Sequence, residues 1–143
     1  MNVLLTGGAG YIGSTTANLL LDQSHTVTII DNLSTGNEKN IPKKATFIKS
    51  DISNKLILSK LFKKNKFDVI IHFAAFIDVE ESVRKPKKYI KNNYLKTKKF
   101  LEVCKLYNQL KIIFSSTAAV YGDSKLGIIS ENAKLKPISP YAI

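Results

Sequence analysis

Short β-branched runs alternate with helical patterns along the chain, and this alternation restricts the fold more than any other feature. The helical patterns cover residues 11–23, 53–65 and 92–108, and the strand-like runs are NVLLT, TVTIID, ATFIKSD, FDVIIHF and KIIFSS. Nearly continuous apolar runs are typical of parallel strands covered by helices on both faces. The sequence therefore predicts one α/β domain over residues 1–143, a doubly wound parallel sheet with NVLLT as its central strand.

The net charge of +11 raises the question of a nucleic-acid partner, because clustered basic residues neutralise phosphates. Of the 22 basic residues only Arg84 is an arginine, and the lysines are spread along the chain. In residues 53–65 they fall mostly opposite an apolar helical face formed by Ile57, Leu58, Leu61 and Phe62. This pattern is typical of solvated helix faces, so we expect no nucleic-acid surface.

Compartment and membrane association follow from three local features. Cys104 is the single cysteine, which excludes an intramolecular disulfide and favours a reducing environment. The start MNVLLTGG lacks the basic region of a signal peptide. The most apolar stretch, FDVIIHFAAFI, is about half as long as a membrane helix requires. We therefore expect a cytoplasmic protein with no membrane partner.

Glycines spaced G-x-x-G-x-x-G follow the first strand, at Gly7, Gly10 and Gly13 in TGGAGYIG. Such glycines allow a tight turn and a close backbone approach to a pyrophosphate, which the N-terminus of the next helix can bind. Asp31 ends the second strand, where a carboxylate accepts hydrogen bonds from ribose hydroxyls and repels a 2′-phosphate. The combination predicts a Rossmann-type domain that binds NAD in preference to NADP.

Other strand ends carry residues with two possible roles. Asp51 follows TFIKS and either contacts an adenine edge or caps a helix that begins near Ser53. Ala74 and Ala75 either admit a cofactor closely or only pack against their neighbours. His72 lies within an apolar strand, and we interpret it as a hydrogen-bonded core histidine, not a catalytic one.

Eight short stretches in a fixed order carry a resemblance to a known family. They are TGGAGYIG, DNLSTG, DI, HFAA, ESVRKP, NN, SSTAAVYG and SPY. In this order and at roughly these intervals they resemble the N-terminal part of the UDP-glucose 4-epimerase family, which are extended short-chain dehydrogenases/reductases. The resemblance runs through all 143 residues but covers less than half of a family chain.

The resemblance implies an NAD site built from matching positions of this sequence. Ile77 departs from the family pattern, since many members carry a lysine near the cofactor at this position. The implied cofactor-binding residues are Gly7, Gly10, Tyr11, Ile12, Gly13, Asp31, Asn32, Leu33, Ser34, Thr35, Gly36, Asp51, Ile52, Phe73, Ala74, Ala75, Ile77 and Asn92.

The resemblance also implies the chemistry. Tyr141 matches the catalytic tyrosine, which removes the proton of the sugar 4-hydroxyl while hydride passes between C4 and NAD. Thr117 matches the Ser/Thr that binds the 4-oxygen, and the substrate is a UDP-hexose such as UDP-glucose or UDP-galactose. Family members carry a lysine four residues after the tyrosine and a separate substrate-binding domain. Because residue 143 precedes both, we expect this chain to bind NAD without full activity.

The resemblance also implies how full-length family members assemble. The family forms homodimers through two helices, so a stripe at Ile90, Tyr94, Thr97, Leu101 and Cys104 is expected to be partly exposed.

Related dehydratases place an Asp-Glu pair after the threonine, where this chain has two alanines, so 4-epimerisation is favoured over dehydration. A reductase of the same superfamily, a cofactor-binding module without turnover and a basic interaction protein remain as alternatives.

Overall fold

The computed structural model describes residues 1–123 and 127–143, and one five-stranded sheet organises them. Every strand pair is parallel and the strand order is β3-β2-β1-β4-β5, which confirms the predicted doubly wound sheet with the first strand at its centre. The strands are β1 (Asn2–Thr6), β2 (Thr26–Asp31), β3 (Thr46–Lys49), β4 (Val69–His72) and β5 (Ile112–Phe114).

The helices include two that the sequence patterns did not predict. Helix α3 begins after Asp78, whose carboxylate accepts the Glu81 backbone N–H, and α4 begins at Pro86, a residue suited to the first helical position. A π-helical segment, Ile90–Leu95, joins α4 to α5. The α-helices are α1 (Tyr11–Asp22), α2 (Lys55–Lys64), α3 (Val79–Arg84), α4 (Pro86–Tyr89) and α5 (Lys96–Leu106), and 3-10 helices cover Glu38–Asn40 and Ala118–Tyr121.

Two apolar clusters cover the two faces of the sheet. On one face α2 contributes Leu58, Leu61 and Phe62, which pack with Phe100 and Val103 of α5. The predicted apolar face of α2 is therefore confirmed, and its lysines lie away from that cluster. On the other face Ala17 of α1 packs with the buried residues of β1 and β2, and every residue of these two strands after the first is buried.

The stripe between residues 90 and 104 is partly exposed, as predicted, but two of its five members are buried. Thr97 and Cys104 are buried, because they share the inward face of α5 with Phe100 and Val103. Ile90, Tyr94 and Leu101 are exposed, so the apolar surface consists of these residues alone among the five predicted. The π-helical turn before α5 changes the helical phase, which a constant 3.6-residue period does not anticipate.

In the described part of the chain no helix is long and apolar enough to cross a membrane.

His72 ends β4 beneath the carboxyl edge of the sheet and is only 3% exposed. Its Nδ1 lies 2.7 Å from Thr6 Oγ1, its Nε2 lies 3.2 Å from Thr97 Oγ1, and its ring stacks against the rings of Phe100 and Phe114. Both ring nitrogens therefore have partners, as expected for a core histidine. Burial lowers the pKa of His72 from its ordinary value of 6.5 to about 4.

The depressed pKa of His72 predicts a loss of stability in mild acid. Between pH 6.5 and about 4 the unfolded chain binds a proton that the folded chain does not, so the free energy of unfolding falls as pH decreases. The full difference corresponds to about 3 kcal/mol. Urea denaturation at pH 7 and pH 4.5 measures most of this difference, with His72→Gln as the comparison. An equally steep pH dependence in the variant would contradict the assignment to His72.

Candidate dinucleotide-binding site

A cleft of about 780 Å³ lies at the carboxyl edge of the sheet, where the segments following β1 to β5 come together. Ligands of doubly wound domains bind at this edge. Of the residues predicted to bind a cofactor, the following line the cleft: Gly7, Gly10, Tyr11, Ile12, Gly13, Asp31, Asn32, Ser34, Thr35, Gly36, Asp51, Ile52, Phe73, Ala74, Ala75, Ile77 and Asn92. Leu33 does not, and neither does Thr117.

Two glycines where β1 leads into α1 have no room for a side chain next to backbone atoms: Gly7 in the loop and Gly13 in the first turn of the helix. Gly7 has φ +72°, and a Cβ there would lie 2.7 Å from the backbone nitrogen of Ala74. A Cβ at Gly13 would lie 2.4 Å from the carbonyl oxygen of Gly7. Gly10 precedes α1, and no side chain caps this helix. The first N–H groups of α1 are therefore available to an anion in the cleft.

Asp31 links the glycine-rich loop to the loop after β2. One carboxylate oxygen accepts the Ala9 backbone N–H at 3.0 Å, and the other accepts the Leu33 backbone N–H at 2.8 Å. The residue is 9% exposed yet lines the cleft, so each oxygen retains acceptor capacity toward a ligand. Leu33 contributes its backbone N–H to this turn, with φ +58°, and does not line the cleft.

Asp51 lies at the same end of the cleft with four hydrogen bonds. Ser53 donates its N–H and hydroxyl to Oδ1, while Asn32 Nδ2 and Lys96 Nζ donate to Oδ2. Burial opposes ionisation, but the bonds from Lys96 and Ser53 prevail and lower the pKa of Asp51 to about 2. Asn54 is the N-cap of α2, so the helix-cap interpretation of Asp51 is wrong. Its contact with adenine stays a prediction.

The loop after β4 is held in place from both sides. Ala74 donates its N–H to Thr6 Oγ1 at 3.3 Å, and the Phe73–Ala74 peptide packs directly on Gly7. Further along, Asn93 binds both backbone groups of Phe76, at 2.9 Å each. The two asparagines therefore divide their roles, since Asn93 fixes the loop and its neighbour Asn92 lines the cleft.

The two residues predicted to be catalytic occupy different positions. Tyr141 lines the cleft, in a turn where Ser139 accepts the Ala142 N–H at 2.9 Å. Thr117 is the N-cap of the 3-10 helix Ala118–Tyr121, and its Oγ1 accepts the Ala119 N–H at 3.2 Å. Ser115 and Ser116 of the same loop line the cleft instead. The catalytic roles of Thr117 and Tyr141 remain predictions.

Sequence reasoning missed several polar residues of the cleft. One signal was available, since Lys88 and Lys96 stand four residues before and four residues after Asn92 and so match a helical repeat. The other missed residues are brought to the cleft by the tertiary structure. The missed polar residues are Ser50, Asp78, Glu81, Lys88, Tyr89, Lys96, Ser115 and Ser116.

Comparison with known proteins places these features in one family. Residues 3–143 match the family model described as the NAD dependent epimerase/dehydratase family. A UDP-glucose 4-epimerase from Lactobacillus helveticus is 41% identical over 99% of this chain and 43% of its own length. The chain thus spans less than half the length of this curated relative.

Two solved structures have the same fold. The UDP-glucose 4-epimerase from Brucella ovis in complex with NAD superimposes with a TM-score of 0.94 and 40% identity, over 99% of this chain and 43% of that one. The UDP-Glc/GlcNAc 4-epimerase from Campylobacter jejuni gives 0.92 and 41%, over 99% and 44%. Together with the match over residues 3–143, these similarities establish that the chain belongs to the NAD dependent epimerase/dehydratase family.

Proposed function

We propose that this domain binds NAD in the cleft at the carboxyl edge of its sheet. The observation that carries the proposal is the meeting of three elements there: the glycine-rich loop, the uncapped start of α1 and the carboxylate of Asp31. The N–H groups of Tyr11 and Ile12 are suited to the diphosphate. Asp31 is suited to the ribose hydroxyls and repels a 2′-phosphate, which favours NAD over NADP.

The residues present fit such a cofactor sterically. A side chain at Gly7 or Gly13 would collide with backbone atoms, so the loop closes tightly and its backbone forms the cleft floor. Small Ala74 and Ala75 border the cleft where β4 ends. The cleft volume of about 780 Å³ lies within the range of sites that bind small molecules and cofactors.

We further propose that the domain serves a 4-epimerase acting on a UDP-hexose. When bound, NAD supplies an acceptor and donor of hydride for C4 of the sugar. Tyr141 Oη takes the proton of the 4-hydroxyl and later returns it, and Thr117 Oγ1 hydrogen-bonds the same oxygen. Thr117 already accepts one bond from Ala119, so its hydroxyl hydrogen is available for donation.

Two observations support this reaction over its alternatives. Relatives and solved structures similar to this chain are described as UDP-glucose 4-epimerases. Ala118 and Ala119 follow Thr117, and neither side chain can act as the acid or base that elimination of water requires.

A chimera provides a direct test of the role of Tyr141. Joining residues 1–143 to the C-terminal portion of the Lactobacillus helveticus relative is expected to give an enzyme that converts UDP-galactose to UDP-glucose with NAD. Tyr141→Phe should lower kcat about 10²- to 10⁴-fold, because general acid–base catalysis is lost while the ring is kept. A coupled assay for UDP-glucose formation measures both rates.

Tyr121→Phe is the matched control, since its hydroxyl donates to the Glu131 carbonyl and does not line the cleft. This control should retain the rate of the unaltered chimera. Undiminished turnover by the Tyr141→Phe chimera would contradict the catalytic assignment, and a chimera that binds NAD without converting any UDP-hexose would contradict the proposed reaction.

A further inference from the structure

One wall of the cleft carries two lysines in a regular arrangement. Lys88 in α4, Asn92 in the π-helical segment and Lys96 in α5 are spaced four residues apart, and all three line the cleft. We call these three residues the lysine wall. The neighbouring lysines Lys87 and Lys91 are exposed and do not line the cleft. Only some of the lysines in this lysine-rich segment therefore line the cleft.

The two lysines mark opposite ends of the cleft. Lys96 Nζ pairs with the carboxylate of Asp51, which also binds Asn32 of the loop after β2. Lys88 Nζ lies 2.8 Å from both carboxylate oxygens of Glu81 and 4.6 Å from the centre of the Phe76 ring. Asn92 lies between them along the helical segment. The wall therefore extends from the end of the cleft near β3 to the loop after β4.

The charges around the cleft make these lysines important for an anionic ligand. Among the described residues, the acidic side chains lining the cleft are Asp31, Asp51, Asp78 and Glu81, whereas Lys88 and Lys96 are the basic ones. Without the lysines the cleft would repel a dianionic diphosphate. Ile77, which lines the same cleft, is 74% exposed and supplies no charge.

Both ammonium groups can respond to a ligand. The side chain of Lys88 is 42% exposed and that of Lys96 is 25% exposed, so neither is locked in the core. A lysine head on a flexible four-carbon stem can shift from a carboxylate toward a phosphate with little backbone movement. In the free protein the ammonium group of Lys88 is paired with Glu81 and that of Lys96 with Asp51.

We propose that Lys88 and Lys96 are cofactor-binding residues that supply positive charge to NAD, whose diphosphate is anionic, from the wall formed by α4 to α5. The inference rests on the proposed function, because it takes NAD as the ligand. In this proposal the two lysines are a second source of positive charge for the anionic cofactor, in addition to the N-terminus of α1. It also assigns a function to two lysines of a chain whose remaining lysines are spread over its surface.

Calorimetric titration of the 143-residue chain with NAD, at low and high salt, tests the inference. Lys88→Met and Lys96→Met should each weaken NAD binding about three- to tenfold at low salt, as expected for partly exposed charged hydrogen bonds. The loss should shrink at high salt, because screening weakens the interaction in the unaltered chain. Lys88→Arg and Lys96→Arg keep the charge and should retain most of the affinity.

Lys87→Met and Lys91→Met are the matched controls, since they remove the same charge from the same segment outside the cleft. Equal weakening in all four methionine variants would show that only the overall charge matters and would overturn the inference. Unchanged affinity in Lys88→Met and Lys96→Met, with normal NAD binding by the unaltered chain, would overturn it while leaving the proposed function intact. Failure of the unaltered chain to bind NAD would overturn both.

Discussion

Replacing Gly7 with alanine is expected to lower the free energy of unfolding by about 2–5 kcal/mol. Two effects combine at this position. The backbone has φ +72°, which a residue with a Cβ adopts only at a cost, and the new Cβ would lie 2.7–2.8 Å from three backbone atoms of Phe73 and Ala74. Because these contacts are with backbone, no side chain can move aside. Urea denaturation of the variant and the unaltered chain measures the difference.

Gly10→Ala is the matched control in the same loop. Its Cβ would lie 3.4 Å from the nearest atom, the Gly7 carbonyl oxygen, and Gly10 has φ −78°. Stability should therefore change little, while NAD binding should weaken because the new methyl group borders the cleft. A Gly7→Ala variant as stable as Gly10→Ala would contradict the described contact between the glycine-rich loop and the loop after β4.

Replacing Asp31 with alanine is expected to weaken NAD binding about 10- to 100-fold, the range for losing hydrogen bonds to a charged group. The variant loses the acceptor for the ribose hydroxyls and also the bonds that fix Ala9 and Leu33. NADP binding should fall less, because the charge that repels the 2′-phosphate disappears as well. The preference for NAD over NADP should therefore narrow, which parallel calorimetric titrations measure.

Asp68→Ala separates this effect from the general loss of a carboxylate. Asp68 also accepts a backbone N–H, from Asn2 at 2.7 Å, but it lies at the opposite edge of the sheet. Its variant should keep the preference for NAD even where stability falls. An Asp31→Ala variant that discriminates against NADP as strongly as the unaltered chain would contradict the role assigned to Asp31.

The sequence predicted the sheet well because buried parallel strands are continuously apolar. The ends of β1 and β2 agree with the runs NVLLT and TVTIID to the residue. Helix α3 was missed because six residues are too few for an apolar period, although Asp78 and Glu81 stand at the spacing of a capping box. The π-helical segment was missed because it breaks the constant period on which helix prediction depends.

The sequence identified positions that line the cleft where backbone conformation, or charge at a strand end, limits the residue type, while binding of the cofactor by these residues stays a prediction. Gly7, Gly13 and Asp31 are such positions, and all three line the cleft. Lys88 and Lys96 were missed because their surroundings in sequence are rich in lysine, which obscures their four-residue spacing from Asn92. Ser115 and Ser116 show the opposite limit, since the motif match at Thr117 does not indicate that its two neighbours line the cleft.

Titration of the unaltered 143-residue chain with NAD and NADP tests the central claim most directly, since that claim is an NAD site formed by the glycine-rich loop and Asp31. We expect one NAD per chain, bound more tightly than NADP, and with an affinity for NAD that falls when Asp31 is replaced. No binding of NAD, or equal affinity for the two dinucleotides, would contradict the account.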